Sequence, residues 1–317
     1  MKPRPVFADI LAAGERIRTA IHRTPVLRCS ALDRMAGAEL YFKAENIQKT
    51  GSFKFRGASN AVLSLSEEEA ARGVATHSSG NHAQALCLGA KNRGVPAYIV
   101  MPSGAPAPKR AAVEAYGGQV TECGPTLDAR EEALAGVLKK TGAAFVHPYD
   151  EPLVIAGSGT AAVEFLKDVP DLEILIAPCG GGGLLSGTAI TCQAINPRIA
   201  VYGVEPELAD DAFESLQSGR LIPPRPVRTV ADGLRTALSE LTFSILRGAG
   251  VGILRVSEEE IVAAMRLLWE RAKTVVEPSG AVGLAAVLRE DAKMEGRKIG
   301  IILSGGKADF NRLKKYF

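Results

Sequence analysis

Short apolar, β-branched runs alternate along the chain with longer stretches in which apolar residues recur at three- and four-residue spacing. The runs 40–43, 74–77, 97–101, 119–123, 144–147, 174–177, 199–204 and 299–303 read as strands, and stretches near 53–66, 81–93, 109–116, 128–141, 155–167, 184–195, 258–271 and 278–289 read as helices. Strands separated by helices of this length imply βαβ units, parallel sheets and right-handed crossovers, so the fold class is α/β. Ligands in such folds sit where strands end and helices begin. Those loops are therefore where chemistry is sought. No low-complexity segment or 20–50-residue repeat interrupts the pattern. The prolines at 102, 106 and 108, and again at 223, 224 and 226, punctuate loops too short to be domain linkers.

Composition narrows the partners. The 317 residues are 46% hydrophobic and 23% charged, which excludes disordered, fibrous and coiled-coil classes. A net charge of +3 without a basic tract gives no reason to invoke nucleic acid or an anionic membrane. With no apolar leader and no run long enough to span a bilayer, a cytoplasmic location and small-molecule partners are expected. Cys29, Cys87, Cys123, Cys179 and Cys192 have neither CxxC nor zinc spacing and read as buried small hydrophobes. The 33 glycines cluster in a few places, where backbone must approach a ligand closely.

Four strand-end loops stand out. In the first, Gly51-Ser52-Phe53-Lys54-Phe55-Arg56-Gly57, Ser52 reads as a helix cap and Lys54 falls in the first helical turn. The helix field there lowers an amine's pKa and favours the neutral, imine-forming state. A solvated surface lysine is the ordinary alternative on this loop alone. In the second, Gly180, Gly181, Gly182 and Gly183 precede a helix, and four successive unhindered N–H groups at a helix N-terminus suit a phosphate better than a bare turn requires. The loop is not a Walker A motif: Ser186 precedes Gly187 and no lysine follows it. The third, Ser78-Ser79-Gly80-Asn81-His82, supplies hydroxyl, amide and backbone donors for a carboxylate or a ring oxygen, with plain N-capping as the alternative and His82 reading as structural. The fourth, Ser304-Gly305-Gly306, places a hydroxyl that can bond a heteroaromatic nitrogen without forcing its protonation.

Together and in this order, the four loops resemble the fold-type II pyridoxal-phosphate enzymes, tryptophan synthase β-like proteins with two domains of twisted, mostly parallel sheets flanked by helices. Within them the chain resembles the serine racemase and threonine/serine dehydratase family over its whole length. The resemblance implies pyridoxal 5'-phosphate held on Lys54 as an imine, Phe53 near its ring, Asn81 on its phenolic oxygen, the loop 180–183 on its phosphate and Ser304 on its pyridine nitrogen. It implies that Ser78, Ser79, Asn81 and His82 hold the substrate carboxylate, with Ser79 as an acid/base opposite the lysine, as in the racemase branch. It also implies a divalent-cation site of Glu205, the Ala209 carbonyl and Asp211, an oxygen-only shell suited to Mg2+, or to Ca2+ or Mn2+ in its place. From spacing alone those acidic residues read as a solvated helix start.

The expected reaction is loss of the α-proton and the β-hydroxyl from serine, threonine or 3-hydroxyaspartate, giving a 2-oxo acid and ammonia; racemisation through Ser79 competes. Arg130 and Arg235 are candidates for a second substrate carboxylate, against surface salt bridges as the alternative. Tyr149, where racemase relatives often carry Asn, and Lys307, where Asn often follows Ser-Gly-Gly, depart from the racemase pattern. Glu277 matches a family position near the cofactor. The resemblance further implies a large domain of residues 1–68 and 146–317, a small domain of 69–145 and a homodimer. It leaves no room for an isoleucine-responsive regulatory domain. One rival remains: Gly157-Ser158-Gly159-Thr160-Ala161-Ala162 fits the dinucleotide fingerprint of a nicotinamide-dependent oxidoreductase, but Pro152 and the short run before it point to helix packing instead.

Overall fold

A computed structural model describes residues 2–78, 80–105 and 107–316, with the side chains of all of these except 107, 108, 310, 312 and 315. Ten strands among the described residues form two sheets. They are β1 Val26–Leu27, β2 Glu39–Lys43, β3 Val74–His77, β4 Ala97–Pro102, β5 Gln119–Cys123, β6 Ala144–Phe145, β7 Ile174–Pro178, β8 Ala200–Pro206, β9 Gly252–Val256 and β10 Lys298–Ile302. One sheet has the order β1-β2-β10-β7-β8-β9, parallel except for the short β1; the other runs β5-β4-β3-β6, all parallel.

Both sheets are covered on both faces, which is why their central strands read as continuous apolar runs. In β7, Ile174 and Ile176 pack with helices Glu258–Glu270 and Pro278–Val287, while Leu175 and Ala177 face the core shared with helices Pro152–Asp168 and Gly183–Ile195. In the smaller sheet Val74 and Ile99 face helices Lys54–Leu63 and Asn81–Arg93, and Ala75 and Val100 face helix Leu127–Thr141. Helix Lys54–Leu63 packs on helix Asn81–Arg93 and on helix Pro152–Asp168, so it lies between the two sheets.

The rival fingerprint falls inside helix Pro152–Asp168, whose Pro152 occupies the first turn. Its glycines are crossing points of helices. A Cβ on Gly157 would stand 2.7 Å from the Arg56 carbonyl and Gly57 Cα, and one on Gly159 3.0 Å from the Gly187 carbonyl. No strand leads into that segment, which is the context a dinucleotide loop requires.

Two strands and several helices have no counterpart in the sequence reading, among them β1, β9 and the helices Phe7–Ile17, Ser30–Ala36, Asp211–Ser218 and Glu240–Gly248. β9 is an edge strand with a glycine at its start and an exposed Arg255, so it lacks a run of apolar positions. The expected strand 144–147 stops at Phe145, because His147 Nδ1 accepts the N–H groups of Tyr149 (3.3 Å) and Asp150 (2.9 Å) and turns the chain. No helix among the described residues is long and apolar enough to cross a membrane.

Candidate active site

Lys54 opens its helix at the seam between the sheets. The segment before it turns through left-handed backbone at Thr50 (φ 58°) and Gly51 (φ 66°), then Ser52 pairs with Gly305 and the Phe53 N–H bonds the Ser304 carbonyl at 3.0 Å. The first and fourth loops are thereby stitched together. The Ser52 hydroxyl does not cap the helix: Phe53 occupies the cap position, Ser52 is extended, and its buried Oγ has no partner. Lys54 Nζ donates to the Pro148 carbonyl at 2.8 Å and lies 4.9 Å from the centre of the Phe53 ring. Burial brings its amine down to about 8.

Two residues beyond Lys54, a network that the sequence reading did not single out anchors the helix. Arg56 is fully buried and bonds both carboxylate oxygens of Glu45 and both of Glu164, each at 2.8 Å, while Lys43 reaches Glu164 at 2.7 Å and Thr24 reaches Glu45 at 2.5 Å. A buried arginine is tolerated only with such full pairing. The local sequence signal was an arginine in a helix that carries no acidic residue to pair with it.

The glycine loop leaves β7 and enters helix Gly183–Ile195 through Gly182 at φ 81°. All four positions are crowded against a side chain. A Cβ on Gly180 would meet Leu234 Cα and Thr236 Oγ1 at 3.1 Å, on Gly181 the Tyr149 ring at 2.3–2.5 Å, on Gly182 Leu238 Cδ2 at 2.7 Å, and on Gly183 Tyr149 Cβ at 3.0 Å. Tyr149 therefore lies flat against the loop. It also packs edge-on against His147, with ring centres 4.6 Å apart. The first N–H groups of the helix have no intrahelical acceptors, so the turn keeps its capacity to hold an anion.

In the third loop, Ser78 Oγ accepts the Gly80 N–H at 3.2 Å, and Asn81 Nδ2 donates to Glu277 Oε1 at 2.8 Å. Ser79 lies outside the described residues. His82 is buried with Nε2 3.0 Å from the Val146 carbonyl, and burial takes it down to about 3, so it is a neutral, structurally engaged ring. In the fourth loop Ser304 is buried, with Oγ 3.5 Å from the Ser279 carbonyl. A Cβ on Gly305 would stand 2.3 Å from Glu277 Oε1, so a side chain there would push that carboxylate aside.

The arginines turn back on their own loops: Arg130 bonds the carbonyls of Thr126 and Pro125, and Arg235 bonds the Thr229 carbonyl. After β8, Glu205 is fully buried and accepts the N–H groups of Ala212 (3.1 Å) and Phe213 (2.9 Å), while Asp211 accepts that of Leu238 at 3.3 Å. Burial and the facing Asp211 push Glu205 well up, and burial lifts Asp211 to about 6. Ala209 is buried in the turn between them. Two desolvated carboxylates, Glu205 raised in part by Asp211 and Asp211 in part by Asp210, fit a cation. No group of three His, Cys, Asp or Glu side chains converges as a metal site among the described residues.

A parallel α/β chain with a desolvated lysine beside a four-glycine anion turn defines a class, the pyridoxal-phosphate enzymes of this architecture. The sequence model of the family described as pyridoxal-phosphate dependent enzyme matches residues 17–305, and the chain belongs to that family. It is 48% identical over 312 residues to a serine racemase of Dictyostelium discoideum, covering 97% of this chain and 96% of that protein. It is 46% identical over 309 residues to a beta-hydroxyaspartate dehydratase of Paracoccus denitrificans, covering 98% of each. Among solved structures, maize serine racemase superposes with a TM-score of 0.96 at 42% identity, over 99% of this chain and 97% of that one.

Proposed function

We propose that the protein is a hydroxy-amino-acid ammonia-lyase that removes water and then ammonia from serine, threonine or 3-hydroxyaspartate. The observation that carries the reading is Lys54, an amine brought to about 8 by burial and bonded to the Pro148 carbonyl, next to the tyrosine that lies on the glycine turn. The chain's residues fit the cofactor: Gly180, Gly181, Gly182 and Gly183 for its phosphate, Ser304 for its ring nitrogen, Asn81 for its ring oxygen, Phe53 beside its ring, and a buried Ser52 hydroxyl without a partner two residues before Lys54. Pyridoxal phosphate supplies the electron sink that makes the α-proton acidic.

Lys54 would hold the cofactor and, as a neutral amine, would take the substrate's α-proton. The N–H and hydroxyl groups of Ser78, Ser79, Asn81 and His82 hold the α-carboxylate. The α-proton and the β-hydroxyl together are lost as one water, and the enamine, once released, takes up one water to give a 2-oxo acid and ammonia. Because Ser304 is a hydroxyl rather than a carboxylate, it would bond the ring nitrogen without forcing its protonation, which would favour elimination over racemisation.

3-Hydroxyaspartate is the substrate we favour, supported by the Paracoccus denitrificans relative's name. Arg130 and Arg235 would bind its second carboxylate by exchanging their carbonyl partners for it. Racemisation is the second reading, supported by Ser79 and by the serine racemase relatives. Glu205, the Ala209 carbonyl and Asp211 would hold Mg2+. Residues 69–145 would form a small domain closing on the remainder, with the chain acting as a homodimer. The test is oxo-acid release by the cofactor-loaded protein with Mg2+ from L- and D-serine, L-threonine and the stereoisomers of 3-hydroxyaspartate. Preference for one hydroxyaspartate isomer is expected. Release from none of them would overturn the lyase, and intact hydroxyaspartate turnover in Arg235→Ala would remove that residue's role.

A further inference from the structure

Glu277 stands at the cap position of helix Pro278–Val287, where a carboxylate ordinarily satisfies its own helix's N–H groups. It does not do so here. Its side chain is turned into the interior, only 5% exposed, with Oε1 on Asn81 Nδ2 at 2.8 Å and packed against the Gly305 backbone. The cations nearby are engaged elsewhere: Lys307 Nζ bonds Gln84 Oε1, and Lys109 Nζ bonds Asp232 at 2.7 Å. Glu277 thus ties the third loop to the fourth, across the seam that Lys54 faces.

We propose that Glu277 is a positioning residue whose charge decides how the Asn81 amide is presented to the cofactor. An ionised carboxylate only accepts, so it fixes the amide nitrogen toward itself and leaves the second Asn81 N–H free for the cofactor's ring oxygen. Protonated, it offers an O–H that competes for the amide oxygen, and the amide loses its fixed sense. The switch falls in the working range: burial and the facing Asp232 lift Glu277 to about 7, against the opposing effects of the Asn81 bond, Lys307 and Lys109. This inference rests on the proposed placement of the cofactor against Asn81.

The test is the absorption spectrum of the cofactor-loaded protein between pH 5.5 and 9, because the pyridoxal chromophore reports the bonding of its ring oxygen. The wild type is expected to show a spectral step with a midpoint near 7. Glu277→Gln keeps an acceptor for the Asn81 N–H but cannot titrate, so the step should vanish while cofactor remains bound. Lys307→Met removes a facing cation and should raise the midpoint by about one pH unit. Asn81→Ala should alter the spectrum at every pH. If Asn81→Ala leaves the spectrum unchanged, the cofactor placement fails and this inference with it. If Asn81→Ala changes the spectrum but Glu277→Gln titrates like the wild type, this inference alone is overturned. Should Glu277→Gln not load with cofactor, Lys307→Met decides: an unmoved midpoint refutes the role and a raised one supports it.

Discussion

Lys54 Nζ bonds the carbonyl of Pro148, the residue just before the tyrosine whose ring lies on the glycine turn. The amine that would carry the cofactor and the turn that would grip its phosphate therefore share one short connection between the two sheets. Pro148 holds the lysine in register without a counter-charge, so the amine is desolvated and stays easy to deprotonate.

That arrangement has a measurable pH dependence. In the cofactor-free protein only the neutral Lys54 amine attacks pyridoxal phosphate, so attachment should speed up as pH rises through about 8 rather than through the ordinary 10.5. Stopped-flow reconstitution across pH 6.5–9.5 checks this. A rate still climbing tenfold per pH unit above 9 would show that the amine is not desolvated.

Gly181→Ala sets a methyl 2.3–2.5 Å from three atoms of the Tyr149 ring. Overpacking of this kind costs about 1–3 kcal/mol. The variant should unfold earlier in denaturant and bind cofactor more weakly. Pairing it with Tyr149→Ala should return part of the loss, which a double-mutant cycle of unfolding free energies measures.

Arg56→Met leaves the buried Glu45 and the half-buried Glu164 beside no guanidinium, and removing one partner of a buried pair such as Arg56–Glu45 costs about 3–5 kcal/mol. Chemical denaturation should show that loss, together with faster release of the Lys54-bearing helix. Burial alone would lift the Glu164 carboxyl, but Arg56 and Lys43 override it and hold the group below its usual range. A depressed carboxylate contributes stability that is present above the unfolded pKa and lost as pH falls through the lower folded one. The gap between wild type and variant should therefore narrow on acidification below about 4.3.

If Glu205 and Asp211 hold a cation, Mg2+ should raise the melting temperature, by the equivalent of about 2.7 kcal/mol at one hundred times its Kd. Asp211→Asn should abolish the rise. Differential scanning calorimetry with and without chelator makes the comparison, and an equal response in the variant would place any Mg2+ effect elsewhere.

Much of this protein is legible in its sequence because the signals are local. The alternation of β-branched runs with helical periods determined the α/β class, and the strand-end loops with Lys54, the four glycines, Ser78 to Asn81 and Ser304 marked by composition and spacing where a ligand would be sought, their roles being what the family resemblance implies. Chain-local patterns cannot say what a side chain meets across the fold. The sequence suggests Ser52 as a helix cap, but the pairing of Ser52 with Gly305 pulls its backbone into an extended form and leaves the hydroxyl buried without a partner. Arg56 reads as one more charge on a helix until Glu45 and Glu164, distant in sequence, close around it. Glu277 meets Asn81, nearly two hundred positions away, and Tyr149 meets Gly181 only because two sheets fold against each other. Burial, which sets the charge of Lys54 and Glu277, belongs to the packed molecule, and there the tertiary structure alone decided.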